Sequence, residues 1–334
     1  MKKSINALAA VALALAASPA AADFQEREIK VANGVFETHP VADGIKVMNE
    51  CVGEKSGGKM KLNAYYGGSL GGDLKGTQSL RSGMLEMVVT STSPLVGLIP
   101  ELGVFDLPFL FNSEEEADAI LDGAFGEYIS EKLPPVGLLN LAYWENGFRN
   151  VANSKRPVHT LDDLSGLKIR VMQNNIYLDT FNALGTNATP MPGEEVFPAL
   201  ETHAIDGHEN PVVNIETSNL YEVQKYLSLT AHTYTPFLVL YSKALFDQLS
   251  LEEQAALQEC AIKGGKAQRT ASREATASSM EVLKEKGMEI VEVDPSELDR
   301  MKKAVEPVYE RHAGEIGQET ITKVQEELTK LRKN

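Results

Sequence analysis

The chain has 334 residues, with 47 Asp and Glu against 32 Lys and Arg, a formal net charge of −15. That acidity argues against nucleic acid and anionic membrane surfaces as partners, while the length allows two ordinary domains with full hydrophobic cores. If so acidic a chain binds an anion it must concentrate positive charge locally, so interior arginines say more than totals.

Residues 1–22 read as a secretory signal. Lys2 and Lys3 form a basic start, Ile5 to Ala17 an apolar stretch, and Ala20-Ala21-Ala22 a small-residue cleavage site before Asp23. The stretch is shorter than the roughly 20 apolar residues a membrane span needs, and no later segment reaches that length. Cleavage removes two lysines and no acid, leaving 312 residues at a charge of −17. The expected product is exported to the periplasm without membrane insertion. Only Cys51 and Cys260 occur, and their spacing does not decide between a disulfide and two buried thiols.

Strands and helices then alternate. Residues 28–32 read as strand, 40–54 as helix, 60–66 as strand, 73–81 as helix with Asp73 as N-cap, and 84–90 as strand. Acidic residues 114–116 favour a helix start near Ser113, and 138–143 is strand again. The pattern restarts with strand 167–172, helix 176–184, strand 186–189 and helix 194–203. Residues 226–241, rich in Thr, Tyr, Leu and Val, read as a long strand region crossing between halves. From Ser250 a capping-box pattern opens a helix to about Lys286, with a kink expected at Gly264-Gly265. A short strand (288–293) precedes a helical C-terminus beginning near Pro295. The order predicts an α/β fold with largely parallel sheets.

The most informative stretch runs from Leu167 to Pro211. Leu167, Ile169 and Val171 alternate as a half-buried strand, which puts Arg170 on the opposite face. A guanidinium keeps its charge and offers a planar fork that matches a carboxylate. A second arginine, Arg149, stands upstream in Asn146-Gly147-Phe148-Arg149. Together they predict a site for a small organic anion.

The chain resembles the solute-binding subunits of tripartite ATP-independent periplasmic (TRAP) transporters, the DctP type, over nearly its whole mature length. The resemblance rests on Gly67-Gly68-Ser69-Leu70-Gly71-Gly72-Asp73, Asp106-Leu107-Pro108-Phe109-Leu110-Phe111, Asn146-Gly147-Phe148-Arg149, Gly166-Leu167-Lys168-Ile169-Arg170-Val171, Asp206-Gly207-His208-Glu209-Asn210-Pro211 and Glu222-Val223-Gln224-Lys225-Tyr226. It implies a two-domain clam-shell with crossing hinge strands and a long bent helix. One domain is expected at about 23–146 plus 236–276, the other at 147–235 plus 277–334. Arg170 matches the arginine that salt-bridges the ligand carboxylate, Arg149 a second arginine that supports it, and Asn210 an asparagine on the same carboxylate. Asp73 and His232 fall where sialic-acid-binding members have ligand-facing polar residues, and Asn174 joins the expected ligand set. Gly193 replaces a phenylalanine of those members, and the Ser/Thr run around Ser91 replaces a glutamate, which argues against sialic acid.

The resemblance thus implies a binding protein, not an enzyme, acting as a monomer that hands an organic acid to a small and a large permease subunit. Glu37, Asp73 and Ser91 are expected to read the distal end of the ligand. Sugar acids such as uronates or aldonates are favoured over C4-dicarboxylates and small hydroxy or keto acids. A competing hydrolase reading fixes on Gly67-Gly68-Ser69-Leu70-Gly71, which fits G-x-S-x-G. The helix start at Asp73 leaves Ser69 in a glycine-rich loop and off a sharp elbow. His203 and His208, five apart, lack the spacing of a helical zinc pair. No metal or cofactor is expected.

Overall fold

The computed structural model describes residues 24–333; the expected signal at 1–22 lies outside the described residues. In chain order come β1 (Arg27–Asn33), α1 (Val41–Lys55), β2 (Met60–Tyr65), α2 (Asp73–Arg81), β3 (Met87–Ser91), α3 (Glu114–Leu121), α4 (Ala124–Ser130) and β4 (Leu138–Asn153). Next are β5 (Lys168–Val171), α5 (Asn175–Ala183), β6 (Asn187–Pro190), α6 (Val196–Glu201), β7 (Gly207–Pro211), α7 (Val212–Thr217) and β8 (Tyr226–Ser242). The chain ends with α8 (Lys243–Phe246), α9 (Leu251–Glu285), β9 (Glu289–Glu292), α10 (Pro295–Ile316) and α11 (Gln318–Leu331).

The strands join in the order β2-β1-β3-β8-β4-β7-β5-β6, with β9 alongside β8. β1 pairs parallel with β2 and β3, and β5 parallel with β6 and β7. Between these two parallel groups run the long strands β4 and β8, antiparallel from Leu138↔Ser242 to Asn153↔Tyr226. A two-residue side-chain period sorts the core. Met87 and Val89 of β3 pack into one cluster with α1 and α9, and Val88 into another on the opposite face.

Local signals explain some helix starts. Ser113 caps α3 by accepting from the Glu116 N–H, and Ser250 with Glu253 forms the capping box of α9. Asp73 is the first residue of α2, and Gly72 holds the cap position instead. The expected helix 194–203 is a short 3-10 turn at Gly193–Glu195 followed by α6. α4, β7, α7 and α8 are additional to the predicted elements.

α9 runs as one unbroken helix from Leu251 to Glu285 through the Gly264-Gly265 pair. A Cβ at Gly264 would meet the Gly44 carbonyl at 2.7 Å, and one at Gly265 would meet Trp144 at 2.8 Å. The glycines let α9 approach α1 and β4 closely. Trp144 is fully buried there and donates from Nε1 to the Ala261 carbonyl at 3.0 Å. Cys51 of α1 and Cys260 of α9 form a disulfide with Cα atoms 5.6 Å apart.

Candidate functional site

A cavity of about 470 Å³ opens where the C-terminal ends of β1, β3 and β5 meet the crossing of β4. In open α/β sheets such strand ends are the usual place for a ligand. Asp73, Ser91, Arg149, Arg170 and Asn210 all line it.

One wall is cationic. Arg170 leaves β5 on the face opposite Ile169 and Val171, which are buried in the core. It is only 4% exposed, and Nε donates to the Met191 carbonyl at 2.9 Å, with Nη2 on the same oxygen. It makes no ion pair among the described residues. Burial, reinforced by Arg149, lowers its pKa to about 10. Arg149 and Asn146 are three apart on β4, so an unbroken strand would aim them at opposite faces. A register shift between Glu145 and Gly147 lets both reach the cavity.

Arg149 is already paired. Its Nη2 lies 2.9 Å from Glu209 Oε1 and 2.7 Å from the Glu209 carbonyl, and its Nε bonds Oε2. Nη2 also donates to Asn210 Oδ1 at 3.0 Å, which orients that amide. Burial would raise the Glu209 carboxyl, but Arg149 and then His232 pull it down to about 2. Asn210 Nδ2 lies 3.1 Å from His208 Nδ1. This side is a largely paired network, in which His208 Nε2 and His232 Nε2 lack a hydrogen-bond partner among the described residues.

The facing wall is acidic and amide-rich. Asp73, with burial as the first cause, has its pKa raised to about 6; Glu194 adds to the rise and Arg170 opposes it. Glu194 reaches in from the turn after β6, its carboxylate filling the space that a Cβ on Gly72 would need. Asn33, at the end of β1, is 2% exposed, lines the cavity, and has no partner for either amide atom. A polar chain ties the walls together. His39 Nε2 meets Asn214 Oδ1 at 2.9 Å, Asn214 Nδ2 meets Asn146 Oδ1 at 3.1 Å, and Asn146 Nδ2 meets Ser91 Oγ at 3.3 Å. Because His39 Nδ1 accepts from the Val41 N–H, Nε2 carries the proton given to Asn214. Burial lowers the His39 pKa to about 4.

Three expected ligand residues are not brought to the cavity lining. Glu37 is exposed on the loop after β1. Asn174 is consumed as the N-cap of α5, accepting from Tyr177 N, and donates to Asp106 Oδ2 at 2.7 Å. His232 stands behind Glu209, its Nε2 3.4 Å from Oε2. Ser69 is exposed in the turn before α2, bonded to neither a histidine nor an acid among the described residues. No cluster of three or more His, Cys, Asp or Glu among the described residues is arranged to hold a metal. Sequence reasoning missed Asn33, Asn146, Asn214 and Glu194. Asn33 was within reach, since it directly follows a predicted strand.

Comparison with known proteins is consistent with this arrangement. The family model described as bacterial extracellular solute-binding protein, family 7 (DctP) matches residues 31–315. The chain is 38% identical over 255 residues to the 2,3-diketo-L-gulonate-binding periplasmic protein YiaO of Escherichia coli, covering 76% of each. It is 31% identical to the C4-dicarboxylate-binding protein DctB of Bacillus subtilis, over 91% of this chain and 86% of that one. The crystal structure of the sugar acid binding protein DctPAm from Advenella mimigardefordensis with galactonate superposes with a TM-score of 0.90 at 44% identity, covering 92% of this chain and 99% of that one. The fold is therefore the α/β periplasmic-binding-protein fold, and the family is one of binding proteins, not enzymes. This chain belongs to the DctP family, the periplasmic solute-binding proteins of TRAP transporters that take up organic acids.

Proposed function

We propose that this protein captures a sugar acid, an aldonate or a uronate, by closing two lobes around it and then presents it to a TRAP permease. The lobes are residues 23–146 plus 236–276 and residues 147–235 plus 277–334, swinging about β4 and β8. The carboxylate docks on Arg170, with Asn210 beside it and Arg149 behind, and the wall of Asn33, Asp73 and Ser91 takes the hydroxylated end. Contacts made to both lobes stabilise the closed state over the open one.

The observation that carries this reading is the buried Arg170, whose only hydrogen-bond partner among the described residues is a backbone carbonyl. A buried charge is costly unless paired, so a ligand carboxylate completes the site. The hydroxyl preference is supported by the unpartnered Asn33 amide, by Asp73, and by the open space beside Gly193. Galactonate in the Advenella protein and diketogulonate in the Escherichia coli protein agree with that chemistry. The C4-dicarboxylate reading is favoured by the Bacillus relative, by the C4-dicarboxylate-binding periplasmic protein DctP of Rhodobacter capsulatus and by a Sulfurospirillum deleyianum protein with bound succinate. A thermal-shift screen decides between them, because a ligand at about 100 times its dissociation constant adds about 2.7 kcal/mol. Shifts with galactonate, galacturonate or glucuronate are expected. Shifts with succinate or malate and none with any sugar acid would reverse the order.

A further inference from the structure

We propose that Asp73 and Glu194 form a charge filter at the far end of the cleft, admitting acids with a neutral hydroxylated tail and rejecting those with a second carboxylate. The inference rests on the sugar-acid reading and adds to it the residues that make the choice.

The two carboxylates come from different parts of the fold. Asp73 opens α2, and Glu194 stands in the turn between β6 and α6. Glu194 comes up against the residue preceding Asp73 because Gly72 has no side chain, and the Glu194 oxygens occupy the space its Cβ would take. Asp73 senses this neighbour, since Glu194 adds to the rise in the Asp73 pKa that burial begins. No cation neutralises them by ion pairing among the described residues. Arg170 is held on the Met191 carbonyl, and Lys75, which also lines the cavity, is exposed and unpaired.

Asn33 supplies the independent observation. Its amide is buried, lines the same cavity, and lacks a partner on both its oxygen and its nitrogen. It adjoins Gly34, whose Cβ position lies 3.5 Å from Asp73 Oδ1. A hydroxyl both donates and accepts, so it can give its proton to Asp73 and take one from Asn33 Nδ2. A second ligand carboxylate only accepts. It would find one N–H and two repelling charges. Space does not make the choice, because a Cβ at Gly193 would meet nothing within 4 Å. The discrimination is by charge.

The test compares galactonate with galactarate, which share length and internal hydroxyls and differ only in a terminal CH2OH or carboxylate. Titration calorimetry on the full mature protein is expected to show galactonate favoured by on the order of 100-fold, the effect of like charges about 6 Å apart in a protein-like dielectric. Asp73→Asn combined with Glu194→Gln should shrink that ratio below about tenfold, chiefly by strengthening galactarate. Glu194 is exposed, so Glu194→Gln and Glu194→Lys test the filter even if the buried change impairs folding, and the lysine should favour the diacid. Equal affinities in the native protein, or a ratio unmoved by every variant, would overturn the filter while leaving sugar-acid binding intact. Binding of succinate with no sugar acid bound at all would overturn the underlying reading and the filter with it.

Discussion

Arg149 and Asn33 sit on opposite walls of one cavity, both buried, and their surroundings treat them differently. Arg149 is met by both Glu209 oxygens, a backbone carbonyl and the Asn210 amide oxygen. The Asn33 side-chain amide has no partner among the described residues. The first wall is organised before any ligand arrives, and the ordering cost of the anchor is met by folding. The second holds unsatisfied capacity, which destabilises the free protein and is released when a ligand hydroxyl fills it. One wall is built for rigidity and the other for choice.

The sharpest way to break this contrast is Glu209→Gln. It leaves Arg149 charged, buried and unpaired, and should cost about 3–5 kcal/mol of folding stability. Urea denaturation measures this, and a loss below about 1 kcal/mol would mean that the anchor wall does not depend on the pair. Arg170→Ala comes next. It should leave the fold intact and weaken ligand binding by about 2–5 kcal/mol, roughly 30-fold to several thousand-fold. Calorimetry giving less than a fivefold loss would remove Arg170 from the clamp. Arg170→Lys should rescue little, because an ammonium lacks the planar fork.

Asn33→Leu sharpens the comparison from the other wall. Replacing an unsatisfied buried amide with an apolar group of similar shape should stabilise the free protein by about 1 kcal/mol while weakening sugar-acid binding about tenfold. A variant that melts lower and binds normally would make Asn33 a structural residue. The smallest effect is the pH response of the ligand-free protein. Glu209, held at about 2, stabilises the fold above the ordinary carboxyl range, and that stabilisation is lost as pH falls through 2. Asp73 and Asp106 run the other way. Burial raises them to about 6 and about 7, so their contribution is present at pH 4 and lost as pH rises through 7. Denaturation at pH 4, 5.5 and 7 should show a decline that Asp73→Asn reduces.

Much of this arrangement was legible in the sequence. The alternation around Arg170 fixed its face, and the capping patterns at Ser113 and Ser250 fixed two helix starts. What escaped is tertiary in origin. β7 is only five residues long and carries His, Glu, Asn and Pro, so its strand character comes from pairing with β4 and β5 and not from propensity. Gly264 and Gly265 read in sequence only as a kink, and it is the fold that packs the indole of Trp144 against them. Glu194 and Gly72 are far apart in the chain, and no local pattern announces that one fills the space beside the other. Asn174 shows why: an N-cap and a ligand contact ask for the same side chain, and here it caps α5.

The Cys51–Cys260 bond spans 209 residues of sequence, and neither cysteine lines the cavity. A cross-link over so long a loop contributes about 2–5 kcal/mol by restricting the unfolded chain. That reserve is kept in the α1–α9 frame, away from the residues that touch cargo. Substitutions at strand ends and turns can then be sampled without loss of the fold, because the destabilisation they bring falls within the margin the cross-link provides. In evolutionary terms, the disulfide makes the cleft easier to retune: such a chain can change its nutrient while keeping its architecture.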